Sequence, residues 1–308
     1  MTTFYYYHED FLLHNTGNNH PESADRLLAI NALLKTLNGL IEITPIKRED
    51  SLDLVKLVHS NQLIDWVNHL KKNTGTVVDK RNDVVLSPDT AEVALLAVSA
   101  CCDAVDQVIT GHAQNAFCAV RPPGHHATPS ESKGFCIYNN IAIAASYAIK
   151  KYNLQRVAII DFDVHHGNGT QDAFYDNPKV FFSSTHEKGI YPYSGGINET
   201  GKYQNILNVP MQAGTDSNEF RKIYIEKIFP RLEAFNPEII LISAGFDAHE
   251  DDYLGSIKLQ YDDYAWITRE LVAIANKYCE GKIVSILEGG YELDSLAKSV
   301  KSHVIELL

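Results

Sequence analysis

The sequence predicts an α/β fold: a single domain with a mostly parallel sheet flanked by helices. Three observations predict it. From about residue 115 onward, short apolar runs alternate with amphipathic stretches of helical length. The runs are rich in Val and Ile and apolar on both faces, which suits strands covered by helices on either side. Polar residues gather just after those runs, at what would be the carboxyl edge of a sheet, where open α/β folds bind ligands.

In chain order, residues 21–37 give the first helical pattern, and residues 87–110 the second. The latter, "SPDTAEVALLAVSACCDAVDQVIT", opens on cap-forming residues and stops at Gly111. "NAFCAVR" (115–121) is the first buried strand, followed by a helix over 139–152. "RVAIIDF" (156–162) and "KVFFSS" (179–184) are the next strands, then a helix over 216–235. "PEIILISA" (237–244), a helix over 260–279, "KIVSILE" (282–288) and a helix over 293–307 complete the alternation. Parallel strands joined this way need right-handed crossovers. No repeat, low-complexity tract or long linker interrupts the pattern, so residues 1–308 read as one domain.

The 308 residues are 45% hydrophobic, ample for a large core. The net charge of −12 disfavours nucleic acid and favours cationic partners such as polyamines or lysine-rich peptides. The five cysteines are odd in number, scattered and form no CxxC, which fits a reduced, soluble, intracellular protein of the cytoplasm or nucleus. The start, "MTTFYYYHEDF", has neither the basic nor the apolar region of a secretory signal, though export without such a signal stays open. No apolar run reaches the ~18 residues of a membrane span.

Five segments follow the predicted strands: "RPPGHHA", "DFDVHHGNG", "STHEKGIYP", "AGFDAHEDD" and "EGGYE". Four carry histidine and four carry a carboxylate. If the chain stays extended past residue 161, Asp161, Asp163 and His165 share one face by the period of two. Asp163 and His165 could then grip one cation, with Asp247 as the third ligand, and Gly167 and Gly169 would let the chain turn sharply. Two carboxylates, an imidazole and open positions suit a catalytic ion, with zinc favoured and iron(II), cobalt or manganese compatible. A polar turn with satisfied side chains is the plain alternative. The His125–His126 pair suits acid–base chemistry, its bland alternative being a solvated loop. Tyr291, after two glycines, could donate a hydrogen bond to an oxyanion, although a tyrosine in a loop more often just packs.

Together "HPE" with Arg26, "RPPGHHA", "GFCIYNN", "DFDVHHGNGTQ", "SAGFDAH" and "LEGGY" resemble the zinc-dependent histone deacetylase family of the arginase–deacetylase superfamily. The match is in order from residue 20 to residue 291. The resemblance implies a sheet of about eight strands with the site at its carboxyl edge. It implies zinc on Asp163, His165 and Asp247, with His126 as general base and then acid, and His125 as its electrostatic partner, oriented by Asp161. Tyr291 would polarise the acetyl carbonyl. Gly134 and Phe135 would form one wall of an acyl-lysine tunnel, and Tyr191 the other. Gly290 would line the substrate site, and Arg26 a cavity behind the metal. Potassium or sodium would sit on the side chains of Asp161 and Ser184 and the carbonyls of Asp163, His165 and Thr185.

Asn168, paired with the second histidine, resembles the class II and related bacterial branch. Asp83 matches a substrate-holding rim residue, or equally a turn leading into a helix. The implied reaction is hydrolysis of N-ε-acetyl-lysine in proteins or peptides, histone tails among them, releasing acetate. The alternative is an acetylpolyamine amidohydrolase. Leu254 stands where that branch has an acidic gatekeeper, but Glu250, Asp251 and Asp252 lie close by. A ureohydrolase would need further aspartates for a second metal. A non-catalytic acetyl-lysine reader would be free to lose Tyr291 or a ligand, and none is lost.

Overall fold

The computed structural model describes residues 2–70, 77–78 and 83–308. Among the described residues, eight strands form one parallel sheet. It begins with β1 (Thr3–Tyr6) and β2 (Leu40–Ile43). The short β3 (Val77–Val78) and β4 (Val85–Leu86) form a separate antiparallel ribbon. The main sheet continues with β5 (Asn115–Cys118), β6 (Val157–Asp161), β7 (Val180–Glu187), β8 (Ile206–Met211), β9 (Ile239–Ala244) and β10 (Ile283–Leu287). Its spatial order is β2-β1-β5-β10-β9-β6-β7-β8.

The helices are α1 (Ala24–Leu34), α2 (Ser51–Val55), α3 (Asn61–Leu70), α4 (Thr90–Ile109) and α5 (Asn140–Tyr152). They continue with α6 (Asn168–Phe174), α7 (Ser217–Ile223), α8 (Phe229–Phe235), α9 (Tyr261–Tyr278) and α10 (Leu293–Leu307). A π-helical turn, Tyr224–Ile228, joins α7 to α8, so the single helix expected over 216–235 is one continuous but locally widened rod. No described helix is long and apolar enough to cross a membrane.

The central strands are apolar because they are covered on both faces: every residue of β5, β6, β9 and β10 is buried. Each Ile or Val so buried contributes roughly 1.5–3 kcal/mol. α4 is buried nearly all round, as its run of Ala, Val and Leu requires. Polar caps fix the helix starts: Asn139 Oδ1 accepts from Ala142 N at 3.0 Å, and Gln260 and Asp263 form a capping box on α9.

Three strands of the main sheet were not expected from sequence, and neither was the β3–β4 ribbon. β1 and β2 are only four residues long, and β2 is a half-exposed edge. β8 contains Pro210, which argues against a strand except at an edge, and β8 is the opposite edge. The order has one consequence for function. β5, β10, β9, β6 and β7 are consecutive neighbours, so the five polar segments that follow them lie side by side along one edge of the sheet.

Candidate active site

Asp161 is the last residue of β6, and the strand does not run on to His165. Instead Asp161 Oδ1 accepts from Asp163 N at 3.1 Å, and Asp163 Oδ1 accepts from His165 N at 2.8 Å. Each aspartate catches its own backbone two residues on. The three side chains are thus gathered by turn chemistry rather than by continued extension. Asp247, in the loop after β9, reaches the same point: its Oδ1 accepts from Val164 N at 2.8 Å.

One ligand atom from each of Asp163, His165 and Asp247 lies within 4.8 Å of the others. His165 Nδ1 stands 3.1 Å from Asp163 Oδ1 and 3.0 Å from Asp247 Oδ2. The carboxylates fill a cradle only glycine permits: a Cβ on Gly245 would lie 2.0 Å from Asp163 Oδ2, and one on Gly289 2.2 Å from Asp247 Oδ2. Gly167 and Gly169 serve close packing too, and neither has a positive φ. A Cβ on Gly167 would lie 2.2 Å from Asp161 Oδ2, and one on Gly169 2.2 Å from the Ala127 carbonyl.

The electrostatics fit a cation. Burial, reinforced by the neighbouring Asp163, pushes Asp247 up to about 7. Burial also opposes charge on His165, yet its hydrogen bonds to Asp163 and Asp247 outweigh this and raise it to about 10. Burial would raise Asp163 as well, but the adjacent His125 and His165 hold it well below the usual carboxylate range. Two buried carboxylates sharing one imidazole leave a negative surplus that a divalent ion would neutralise. The donor set, two carboxylate oxygens and an imidazole, matches an open zinc site.

His125 and His126 lie beside this cluster with ring centroids 4.0 Å apart. His125 Nδ1 is 3.0 Å from Asp161 Oδ2, and His126 Nδ1 is 2.8 Å from Asn168 Oδ1. The two rings are driven apart electrostatically. Burial works against charge on His125, but Asp163, Asp161 and Glu288 outweigh it and raise it well above the ordinary value. His126 is lowered well below that value by burial and by the neighbouring His125 and His165.

A cavity of about 290 Å³ opens onto the cluster, lined by Asp83, His126, Gly134, Phe135, His165, Ile190, Tyr191, Leu254 and Tyr291. Gly134 has φ +53, and a Cβ there would lie 2.4 Å from His126 Cδ2 and 2.8 Å from Tyr191 Cε1. Phe135 stands edge-on to Tyr291 at 5.9 Å, and Tyr191 edge-on to His126 at 5.0 Å. Asp83 ties the two walls together: its Oδ2 accepts from Tyr191 Oη at 3.1 Å and Gly134 N at 3.3 Å, and its carbonyl from Phe135 N at 2.7 Å. Tyr291 is buried, and burial together with Asp247 and Asp163 raises its pKa well above the ordinary value, so it stays a hydrogen-bond donor.

Arg26 is fully buried behind Tyr291, with its guanidinium carbon 5.1 Å from the ring centre. Its Nε donates to the Gly290 carbonyl at 2.6 Å and its terminal nitrogen to the Glu288 carbonyl at 2.5 Å. Ser184 pairs with Asp161 across β6 and β7, and the Thr185 hydroxyl bonds Tyr224 Oη at 3.0 Å. His166 is a packed residue, bonded to Ser194 Oγ at 2.8 Å and Gln171 Oε1 at 3.1 Å. Sequence reasoning gave no role to Glu288, although it stands within "LEGGY". Its Oε2 accepts from Gly124 N at 2.7 Å and His125 N at 3.1 Å, anchoring the histidine pair to the tyrosine loop. The signal was a carboxylate inside an otherwise apolar strand end.

Fold and site together define an α/β protein with an Asp–His–Asp cluster, suited to hold a metal ion, beside a cavity at the carboxyl edge of its sheet. The histone deacetylase domain model matches residues 20–307, and the chain belongs to that family. It is accordingly an enzyme of the deacetylase class. It is 38% identical to the uncharacterized protein slr0245 of Synechocystis sp., over 98% of each chain. It is 35% identical to type-2 histone deacetylase 2 of Dictyostelium discoideum, over 98% of this chain but 20% of that longer protein. The crystal structure of the HDA15 HD domain superposes with a TM-score of 0.92 at 33% identity, covering 99% of this chain and 88% of that one.

Proposed function

We propose that this chain hydrolyses the amide of N-ε-acetyl-lysine in proteins or peptides, histone tails being one candidate class, and releases acetate. The observation that carries the proposal is the convergence of Asp163, His165 and Asp247 beneath a 290 Å³ cavity that His126 and Tyr291 also line. A zinc ion held by these three residues would act as a Lewis acid on the amide carbonyl and lower the pKa of a water. Phe135, Tyr191 and Gly134 receive the aliphatic stem of the lysine, which excludes bulk water from the reacting bond. Tyr291 donates its hydroxyl proton in a hydrogen bond to the acyl oxygen as negative charge develops there. His126 is neutral, and Asn168 Oδ1 accepts from its Nδ1–H, so Nε2 is the nitrogen that takes the proton of the attacking water. It then returns that proton to the departing amine. His125, held by Asp161, keeps positive charge beside the developing oxyanion. Asp161 and Ser184, with the carbonyls of Asp163, His165 and Thr185, would hold potassium or sodium next to the centre. Asn168, rather than an aspartate, supports a type-2-like branch.

The tunnel wall supports peptide over polyamine. Leu254 lines the cavity where a polyamine-selective site needs a carboxylate. Glu250 and Asp251 are exposed outside the cavity lining, and Asp252 is turned inward and buried. The test compares kcat/KM for acetyl-lysine peptides of varied acyl length with that for acetylspermidine, with and without chelator. Chelator-sensitive turnover favouring the peptides is expected. A preference for acetylspermidine of about tenfold, a difference of ~1.4 kcal/mol in transition-state binding, would overturn the peptide half. No acetate from any substrate would overturn the whole.

A further inference from the structure

Asp252 looks from sequence like one more acid on a charged loop. In the structure it is only 5% exposed, and all the hydrogen bonds to its carboxylate come from the main chain. Its Oδ2 accepts from Tyr291 N at 2.6 Å and Glu292 N at 3.2 Å, and its Oδ1 accepts from Leu254 N at 3.0 Å. Its own N–H donates to the His249 carbonyl at 2.9 Å, which fixes it in turn. One carboxylate therefore joins the loop after β9 to the loop after β10. The residues it ties, Leu254 and Tyr291, both line the same cavity.

We infer that Asp252 is a positioning residue that holds Tyr291 and the Leu254 wall of the tunnel as one rigid unit. Tyr291 needs such a hold. Two glycines precede it, and Gly290 sits at φ +116, where the backbone has conformational freedom that other residues lack. Arg26 fixes the Gly290 carbonyl from behind. Asp252 fixes the next amide, that of Tyr291 itself. An oxyanion donor acts only if it is preorganised, and errors of about 0.5 Å matter. Hydrogen bonds from N–H groups to a carboxylate are about twice as strong as neutral ones, so Asp252 is a strong tether. Asparagine cannot replace it. Its amide has one accepting end and one donating end, so whichever way it turns, a donor faces either Leu254 N–H or Tyr291 N–H.

The rate effects rest on the deacetylase reading, but the tether itself does not, and the experiment separates them. Asp252→Asn should lower kcat on an acetyl-lysine peptide about tenfold or more, with KM within about twofold, and keep its zinc. Introduced into Tyr291→Phe, the same change should cost less than about twofold, because the hydroxyl it positions is gone. An equal loss in both backgrounds would show a merely structural role and overturn the inference. Independently of activity, hydrogen exchange at the Tyr291 and Leu254 amides should quicken about tenfold in Asp252→Asn and stay unchanged in Glu250→Gln. Unchanged exchange in Asp252→Asn would also overturn it. Asp252→Ser serves the same test if the Asn variant does not fold. Altered exchange together with an inactive wild type would uphold the tether and sink the deacetylase reading.

Discussion

Two buried ionic clusters share this fold, and they are balanced differently. At the carboxyl ends of β6, β9 and β10, Asp161, Asp163, Asp247 and Glu288 are at most 1% exposed. Burial pushes Asp161 up to about 6 and both Asp247 and Glu288 up to about 7. Behind Tyr291, Glu22 is just as buried, but Arg121 and Arg26 are buried with it. Burial would raise Glu22, yet Arg121 outweighs it, with help from His14 and Arg26, and holds it down to about 2. In the second cluster the one carboxylate is more than matched by two guanidiniums. The first carries a surplus of negative charge that its own side chains do not cancel. Compensated buried charge marks a structural element; uncompensated buried charge marks a place for a ligand. Arg26 links the two, bonding Glu22 on one side and the Gly290 carbonyl on the other.

The largest effect should come from emptying the uncompensated cluster. Asp163→Ala removes a proposed ligand, and several kcal/mol of transition-state stabilisation should go with it, on the order of 10³-fold in rate or more. Metal content per chain and acetate release are measured together. Retention of the metal with near-normal turnover would break the assignment. In the wild-type protein, a chelator should lower the Tm, since an ion that binds only the native state stabilises it.

The compensated cluster should answer the opposite way. Glu22→Gln leaves Arg121 buried with only neutral acceptors, among them the Phe11 carbonyl at 3.0 Å and the His14 carbonyl at 3.0 Å. Loss of one partner from such a pair costs about 3–5 kcal/mol. Chemical denaturation should show that loss, while metal content in the folded fraction stays at the wild-type level. An unchanged unfolding midpoint would erase the contrast between the clusters.

Tyr291 stands between them, with its hydroxyl proposed to face the reacting carbonyl. Tyr291→Phe should raise the barrier by about 2–4 kcal/mol, roughly 30- to 1000-fold in kcat, with metal content and Tm held. Near-normal turnover would remove the oxyanion role and leave Tyr291 as packing.

What was legible in the sequence follows the same division. The buried strands from residue 115 onward were legible because burial on both faces leaves unbroken apolar runs, as in "VAII" and "IILI". The edge strands were not. β2 is half-exposed, and β8 carries a proline that only an edge tolerates. The grouping of Asp163, His165 and Asp247 was legible because all three follow strand ends, although the chain reaches it by aspartate turns rather than by extension. Asp252 and Glu288 were visible as letters but not as anchors. Apart from Leu254 N, which Asp252 meets two residues on, the amides they hold lie 39–40 and 163–164 residues away, brought close only by the sheet order. Nothing in local spacing encodes such a contact.

The smallest effect per residue concerns pH, and it extends the contrast to neutral groups. His14, His59 and His303 are buried, and burial pushes them down to about 4, about 4 and about 3. His59 shows why. Its Nε2 accepts from Asn139 N at 2.8 Å while Nδ1 meets the Thr128 carbonyl at 2.9 Å, so a second proton would set donor against donor. In the unfolded chain these rings titrate near ~6.5. Between about 6.5 and 4 the unfolded state therefore binds more protons than the native one, and stability falls as pH falls. Above that window their contribution is fully present. Glu22 joins only at lower pH: its share is present above its ordinary ~4.5 and is lost toward 2. Each histidine should contribute roughly 1 kcal/mol per pH unit. Asp161, Asp247 and Glu288, raised to about 6, 7 and 7, act in the opposite sense over the same range, so a ring's share is isolated by difference. The urea midpoint should fall more steeply between pH 7 and 5 in the wild type than in His303→Gln. Because this ring lies outside the Asp163–His165–Asp247 cluster, that difference in slope should be the same with and without chelator. Equal slopes would mean the ring is already charged in the fold, and a difference that vanished with chelator would tie the titration to that cluster instead.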